Sequence, residues 1–400
     1  VRVLFVSPVV PYPPITGVRV RMFNLLQELS KRHEITLVCF DELLNVRVDL
    51  DHVLELCNNA HVFPTRRPTT PANILDYFVH GKSASVAIFT SPRARSTIAR
   101  LVAETNFDLV NIHSFYTAHN LPSSCNLPIV IVDHSLQFIM TQRHCNITSG
   151  VVRAAFRIDS RRAKRWLIQA WRQDDVCAAV SEAERQIAST LVPSKPIHAV
   201  PNGVDESYFR YVDPSARSPA TILFVGNFRS FVNCDAIRYF VDEIFPIIKE
   251  KVHEAELWVV GNDPPPEIRR LARRPSVQVT GTVPDVRPYL AAASVFICPL
   301  RTGSGTRLKI LEAMAMGLPI VSTTIGAEGL NVKDKVHILL ANDQSAFAEK
   351  VVRLLTTPEY GARLGREARE LVERNYTWHE SAQALETCYE IAVTLRLPAI

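Results

Sequence analysis

Short apolar runs alternate with longer amphipathic stretches along most of the chain. In the first half the runs 1–6, 35–40, 60–63, 108–112, 128–132, 176–180 and 197–200 have strand length and β-branched content. Between them the spacing changes, as in Arg19 to Lys31, where Met22, Leu25, Leu26 and Leu29 recur at helical intervals. Such alternation predicts a doubly wound parallel sheet of α/β class. The rhythm restarts at Thr221–Val225 and continues with strands 256–260, 277–279, 295–298, 319–322 and 337–340. Helices are expected at 234–250, 265–273, 285–292, 306–316 and 344–356. The turn-rich segment Pro201 to Asp205 separates the two series, so two Rossmann-like domains are expected, 1–203 and 204–377.

Composition agrees with this division. A chain of 400 residues exceeds one ordinary core, and 47% hydrophobic with 21% charged residues suits a folded protein. The net charge of +5 is mild and suits a phosphate-bearing ligand or an anionic surface. No basic stripe interleaved with aromatics marks a nucleic-acid partner. The eight cysteines show no CxxC pair and no Cys/His cluster, so buried thiols and no metal site are expected. That usage, with no apolar run of membrane-spanning length, leads to a cytoplasmic expectation. Val1 to Val6 is read as a strand rather than a secretory leader. Residues 151–173 carry Arg153, Arg157, Arg161 and Lys164 in a helical stripe, with Phe156, Ala163, Leu167 and Ala170 on another face. A stripe of this kind is a solvated face, or a peripheral contact with an anionic membrane.

The richest chemistry lies between the strand 295–298 and the helix after it. Gly303 and Gly305 permit unusual backbone angles and close approach, and Thr306 is the expected helix cap. The N–H groups of that helix start then face an anion in the crevice. Arg301, Arg307 and Lys309 add cations, and Ser304 lies between the glycines. Two turns into the helix, Glu312 can accept hydrogen bonds from ribose hydroxyls. This pattern predicts a diphosphate cradle at the carboxyl end of a sheet, without the Gly-Lys-Ser/Thr ending of a Walker A loop.

The run Glu312 to Val321, Glu-Ala-Met-Ala-Met-Gly-Leu-Pro-Ile-Val, resembles the donor-site signature of the retaining glycosyltransferase family 4, of GT-B fold. Pro201 to Asp205 is similar to the family's interdomain motif, Val180-Ser181-Glu182 to its last N-domain strand, and Tyr376-Thr377-Trp378 to the start of its terminal helices. Pro11 to Arg21, with Gly17, looks like its first glycine loop. The resemblance implies two Rossmann-like domains with an interdomain cleft, residues 378–400 crossing back to the first domain. It also implies a nucleoside-diphosphate sugar as donor substrate, UDP- or GDP-linked, no further cofactor and no metal.

Its departures are informative. Ser304 replaces the family's first paired Glu, which contacts the transferred sugar. The family's diphosphate Arg and Lys follow the first C-domain strand. Here Gly226 is followed by Asn227 at the Arg position, and the Lys position falls near Asn233. Arg229, or Arg307 and Lys309, would then supply the charge. The resemblance further implies backbone contacts to the base around Val283 in Gly281 to Pro284. It places His134, after the strand 128–132, at the reaction centre. Asp133 beside it is expected to act with it, orienting a neighbour or the acceptor. His113 closes the previous strand, and either lining or packing suits it. Glu328 either touches the donor sugar or ends a loop. The loops 11–21, 64–95 and 135–150 are expected to meet the acceptor, a glycan, a lipid-linked glycan or a small molecule. The expected activity is retaining glycosyl transfer. The alternatives are a sugar-nucleotide 2-epimerase of the same fold and a non-catalytic sugar-nucleotide-binding protein.

Overall fold

A computed structural model describes residues 1–41, 50–146 and 148–396. The chain divides into two compact units, Val1–Asn202 with the helix Trp378–Arg396, and Gly203–Thr377. Position 147 of the expected acceptor loop and residues 397–400 of the expected crossing segment lie outside the described residues.

In the first unit, β1 (Arg2–Ser7), β2 (Glu34–Asp41), β3 (Asn59–Pro64), β4 (Leu109–His113), β5 (Ile129–Asp133), β6 (Val176–Ala179) and β7 (Ile197–Ala199) form a parallel sheet. Their order is β3-β2-β1-β4-β5-β6-β7, so the winding reverses between β1 and β4. Leu4, Val6, Val38, Val110, Ile112 and Ile131 pack with Leu167 and Trp171 of the helix Gly150–Gln173. The helix Trp378–Arg396 packs on β4, β5 and β6. Arg21, on the helix Gly17–Leu29, is buried and donates to the Val200 and Pro201 carbonyls and to Asn202 Oδ1.

In the second unit, β8 (Thr221–Val225), β9 (Glu256–Val260), β10 (Val277–Gly281), β11 (Val295–Cys298), β12 (Ile320–Ser322) and β13 (Leu339–Leu340) form another parallel sheet. The order is β10-β9-β8-β11-β12-β13, with the reversal between β8 and β11. Phe224, Phe296, Ile310, Met314, Phe347 and Leu364 belong to its core. Open sheets of this winding take ligands beyond the carboxyl ends of the strands that flank the reversal. The strands therefore determine where Gly226 and the loop after Cys298 must lie. The fold is α/β, two Rossmann-like parallel sheets with helices.

Several expected elements change. The helix expected at 234–250 is α-helical over Phe231–Tyr239, a π turn over Phe240–Ile244, and α-helical again over Phe245–Lys251. Pro246 has no N–H to donate, and its ring crowds the carbonyl four residues back, so the helix widens ahead of it. The helix expected at 306–316 is Leu308–Ala315. Its cap position holds Arg307, in an extended conformation, rather than Thr306. Gly303 (φ 120°) and Gly305 (φ 77°) hold the backbone out of the helical region up to that point. The expected acceptor loops are partly helical, with helices Pro71–Phe78, Ala84–Ile88 and Gln137–Asn146. Thr70 and Ser83 cap the first two by accepting from Asn73 N and Val86 N.

Candidate functional site

The second unit gathers most of the expected donor residues at its reversal. Gly226 follows β8 so closely packed that a Cβ on Gly261 would stand 1.7 Å from its carbonyl oxygen. Asn227 and Asn233 are joined, Asn233 Nδ2 donating to the Asn227 carbonyl at 2.8 Å. Lys309 comes from the neighbouring strand-helix turn, and its Nζ donates to Asn233 Oδ1 at 2.8 Å. Its ammonium also lies 4.4 Å from the centroid of the Phe224 ring. The cation therefore stands beside Asn233, near the Lys position that the resemblance implies.

Burial acts on this cation and on its partner one turn along. It lowers Lys309 to about 8, against the opposing pull of the Cys298 and Glu312 side chains. It raises Glu312 to about 7, against the attraction of Lys309. Such opposite shifts between neighbouring groups are a mark of functional sites.

The remaining cations divide. Arg307 Nη1 donates to the carbonyls of Ser304 and Gly305, closing the loop on itself. A Cβ at Gly303 would stand 2.7 Å from Arg307 Nη2, so the glycine makes room for this clasp. Arg301 makes a two-pronged bond to Asp235, at 2.5 and 3.1 Å, and lies over the Tyr239 ring. Arg229 pairs with Asp263 at 2.8 Å on the surface. Lys309 thus bonds the joined asparagines directly through its ammonium. Ser304 Oγ is buried and has no hydrogen-bond partner among the described residues. Thr306 lies two residues ahead of the helix. Val283 follows Gly281 (φ 75°) and packs its side chain on the core, its backbone belonging to the loop after β10. Glu328 lies in the turn after β12.

In the first unit, His134 follows β5, and its Nε2 lies 3.0 Å from Nδ1 of His113. His113 is wholly buried and stacks on Phe5, with ring centroids 4.4 Å apart. Burial holds both imidazoles well below their usual range, each lowered further by the charge of Arg21. The carboxylate of Asp133 is engaged by other neighbours than His134. Its Oδ1 accepts from Phe115 N at 2.8 Å and its Oδ2 from Trp171 Nε1 at 2.6 Å. Successive strand residues face opposite sides, so Asp133 is spent on the helix Gly150–Gln173. Burial pushes its carboxyl up to about 7. Gly17 opens the helix Gly17–Leu29, whose cap Thr16 accepts from Arg19 N.

Asn111 and Tyr389 escape sequence reasoning. Asn111 Oδ1 meets His113 Nε2 at 2.8 Å and Tyr389 OH at 2.9 Å, across a separation of 278 residues. The available signal was a polar Asn in an otherwise apolar strand. No group of His, Cys, Asp and Glu suited to a metal ion occurs among the described residues. Among the described residues no helix is long and apolar enough to cross a membrane.

Residues 15–208 match the family model described as Glycosyltransferase Family 4, and residues 219–357 the one described as Glycosyl transferases group 1. The chain is 23% identical over 314 residues to a phosphatidyl-myo-inositol mannosyltransferase of Mycobacterium leprae, covering 76% of this chain and 79% of that protein. A match to an uncharacterized 44.6 kDa protein in the cps region of Klebsiella pneumoniae, 23% identical, covers 39% of this chain and spans only 42% of that protein. Among solved structures, sucrose-phosphate synthase from Thermosynechococcus elongatus superposes with a TM-score of 0.71, at 17% identity over 97% of this chain and 98% of that one. Anabaena HepE in complex with UDP and glucose gives 0.65, at 13% identity over 96% and 98%. Both likenesses are of fold.

Proposed function

Since this chain belongs to the glycosyltransferases of family 4 and group 1, we propose that its second unit binds a nucleoside-diphosphate sugar whose glycosyl group is transferred with retention. One observation carries the reading. Lys309 brings its ammonium to Asn233 at the sheet reversal, so a cation remains at the diphosphate position although neither Asn227 nor Asn233 is charged. Departure of the nucleoside diphosphate concentrates negative charge on the leaving oxygens. A buried ammonium and the start of the helix Leu308–Ala315 oppose that charge in a site of low dielectric. This ammonium and the helix start do the work of a metal ion, so transfer is proposed to be metal-independent. Glu312, in its ionised form, accepts from the ribose hydroxyls. Ser304 Oγ faces the donor sugar in place of a carboxylate. The Anabaena protein solved with UDP and glucose supports a uridine or related nucleotide. The family models describe transferases, which favours transfer over epimerisation or binding alone.

The test is transfer and hydrolysis by the purified chain with UDP-, GDP- and ADP-sugars. Lys309→Ala and Glu312→Ala should each lower turnover by about tenfold or more, each removing a charge-assisted contact. Unchanged turnover in both variants would sink the donor-site assignment.

A specific surface favours a lipid-borne acceptor over a soluble one. The helix Gly150–Gln173 leaves Val151, Val152 and Ile158 exposed beside the exposed cations Arg157, Arg161, Lys164 and Arg165. The helix Pro71–Phe78 exposes Ile74, Leu75 and Phe78, followed by Val79, and Arg162 ties it to the longer helix through the Tyr77 carbonyl. Apolar side chains flanked by cations suit the interface of an anionic bilayer. The chain should co-sediment with phosphatidylglycerol-containing vesicles and not with pure phosphatidylcholine. Phe78→Ser combined with Arg161→Glu should abolish this, and association indifferent to lipid charge would count against it.

A further inference from the structure

The hydrogen bonds around His134 admit one self-consistent placement of protons. Asn111 places one amide atom 3.2 Å from the Val130 carbonyl oxygen, which can only accept, so that atom is Nδ2. Its Oδ1 therefore faces both Tyr389 OH and His113 Nε2 as acceptor. Burial keeps the Tyr389 phenol protonated, so it donates. His113 must then carry a proton on Nε2. Buried beside Arg21, it is neutral and has only that one ring proton, which leaves Nδ1 bare. His134 Nε2, at 3.0 Å from that bare nitrogen, must donate to it. His134 is neutral for the same reason, so its own Nδ1 is a lone pair. That atom is shielded from solvent and has no hydrogen-bond partner among the described residues.

We infer that Asn111 and His113, anchored by Tyr389, are positioning residues that lock His134 in its Nε2-protonated tautomer, so that Nδ1 accepts a hydrogen bond from a substrate hydroxyl. The hydroxyl contact rests on the transferase reading; the lock itself does not. The polarity has a consequence for recognition. A bare nitrogen at this position welcomes an O–H or N–H donor and repels a carbonyl or carboxylate oxygen. The other tautomer would present an N–H and reverse the preference. A histidine is ordinarily free to exchange its proton between the two nitrogens, and here a chain of fixed donors decides for it. The first donor comes from the C-terminal helix Trp378–Arg396 and His134 follows β5, so a residue distant in sequence takes part in setting one proton.

The full chain labelled with nitrogen-15 histidine tests this directly. His134, assigned by comparison with His134→Asn, should show Nε2 as a protonated, pyrrole-type nitrogen and Nδ1 as a bare, pyridine-type one. The reverse pattern, or two averaged values, overturns the lock. His113→Phe keeps a ring on Phe5 but removes the acceptor, and should release His134 into tautomer exchange. It should cost about tenfold in kcat, the worth of one neutral hydrogen bond, with donor KM nearly unchanged. His113→Gln restores donor and acceptor in the same order, and should recover both the locked pattern and most of the rate. Equal losses in both variants, with the His134 nitrogens unmoved, would show that His113 only packs the core. Adding UDP-glucose or GDP-mannose should move Nδ1 if the hydroxyl belongs to the donor. Movement only after methyl glycosides of glucose, galactose or mannose are added assigns it to the acceptor, and no movement with either overturns the hydroxyl contact. The nitrogen pattern needs no turnover, so a failed lock and a failed transferase reading are told apart.

Discussion

Lys309 and Glu312 stand one turn apart on the helix Leu308–Ala315, and burial favours the neutral form of each. A diphosphate needs the charged ammonium, and a ribose hydroxyl is best accepted by the ionised carboxyl. Below about 7 Glu312 takes up a proton that must be expelled on binding, so affinity falls with decreasing pH. Above about 8 Lys309 has lost a proton that binding must restore, so affinity falls with increasing pH. Nucleoside-diphosphate affinity, measured by calorimetry, should therefore peak between these values. Glu312→Gln should lose the acid limb and keep the alkaline one; two intact limbs in that variant would contradict the assignment. The types of these residues were legible from their place behind a glycine-rich loop. The division of labour among the cations was not. Arg301 is drawn to Asp235 and Arg229 to Asp263, partners 66 and 34 residues away that only folding brings near.

At the scale of elements, strands were read most securely. Thr221–Val225, Glu256–Val260 and Val295–Cys298 stand where their apolar runs end, because a buried parallel strand shows as a continuous apolar segment. Helix ends were read less well, because a cap depends on backbone angles that side-chain periodicity does not report. The helix Leu308–Ala315 illustrates this at both ends. Arg307 rather than Thr306 opens it, and Gly317, at φ 65°, lies just beyond its end. The helix Pro358–Asn375 packs there so closely that a Cβ on Gly365 would stand 2.1 Å from the Gly317 carbonyl oxygen. Both partners in that contact are backbone, so neither can rotate away. Gly365→Ala should destabilise the second unit by about 1–3 kcal/mol, the usual cost of overpacking, read from the urea-unfolding midpoint. A midpoint equal to that of the wild type would contradict the packing described here.

At the scale of the molecule, the chain leaves the first unit after Asn202 and returns at Trp378. The two ends of the second unit meet, with Val204 N donating to the Tyr376 carbonyl at 2.8 Å and Val204 bridging Thr377. The second unit is therefore closed on itself, whereas the first is completed by its last helix. Glu386 on that helix takes Arg32 and His33, Ser381 binds the Pro201 carbonyl, and Tyr389 reaches Asn111. Truncation after Thr377 should unfold or greatly loosen the first unit, seen as lost protection from hydrogen exchange in β4 and β5. The second unit should keep its protection and its nucleotide affinity. Equal loss in both units would show that the last helix is not specific to the first.

Sequence alone determined the two α/β series and the glycine-rich loop with its basic residues, and it singled out His134 and Glu312 as candidates. These depend on local periodicity and on residue types held close together in the chain. Tertiary structure decided which cation bonds Asn233, that Asp133 is held in the core, and how His113 and His134 meet. Each of those depends on a partner distant in sequence, Asn233 for Lys309, Trp171 for Asp133 and, through Asn111, Tyr389 for the histidines. A hydrogen bond is decided over a few ångströms, and only the folded chain brings such pairs within that reach.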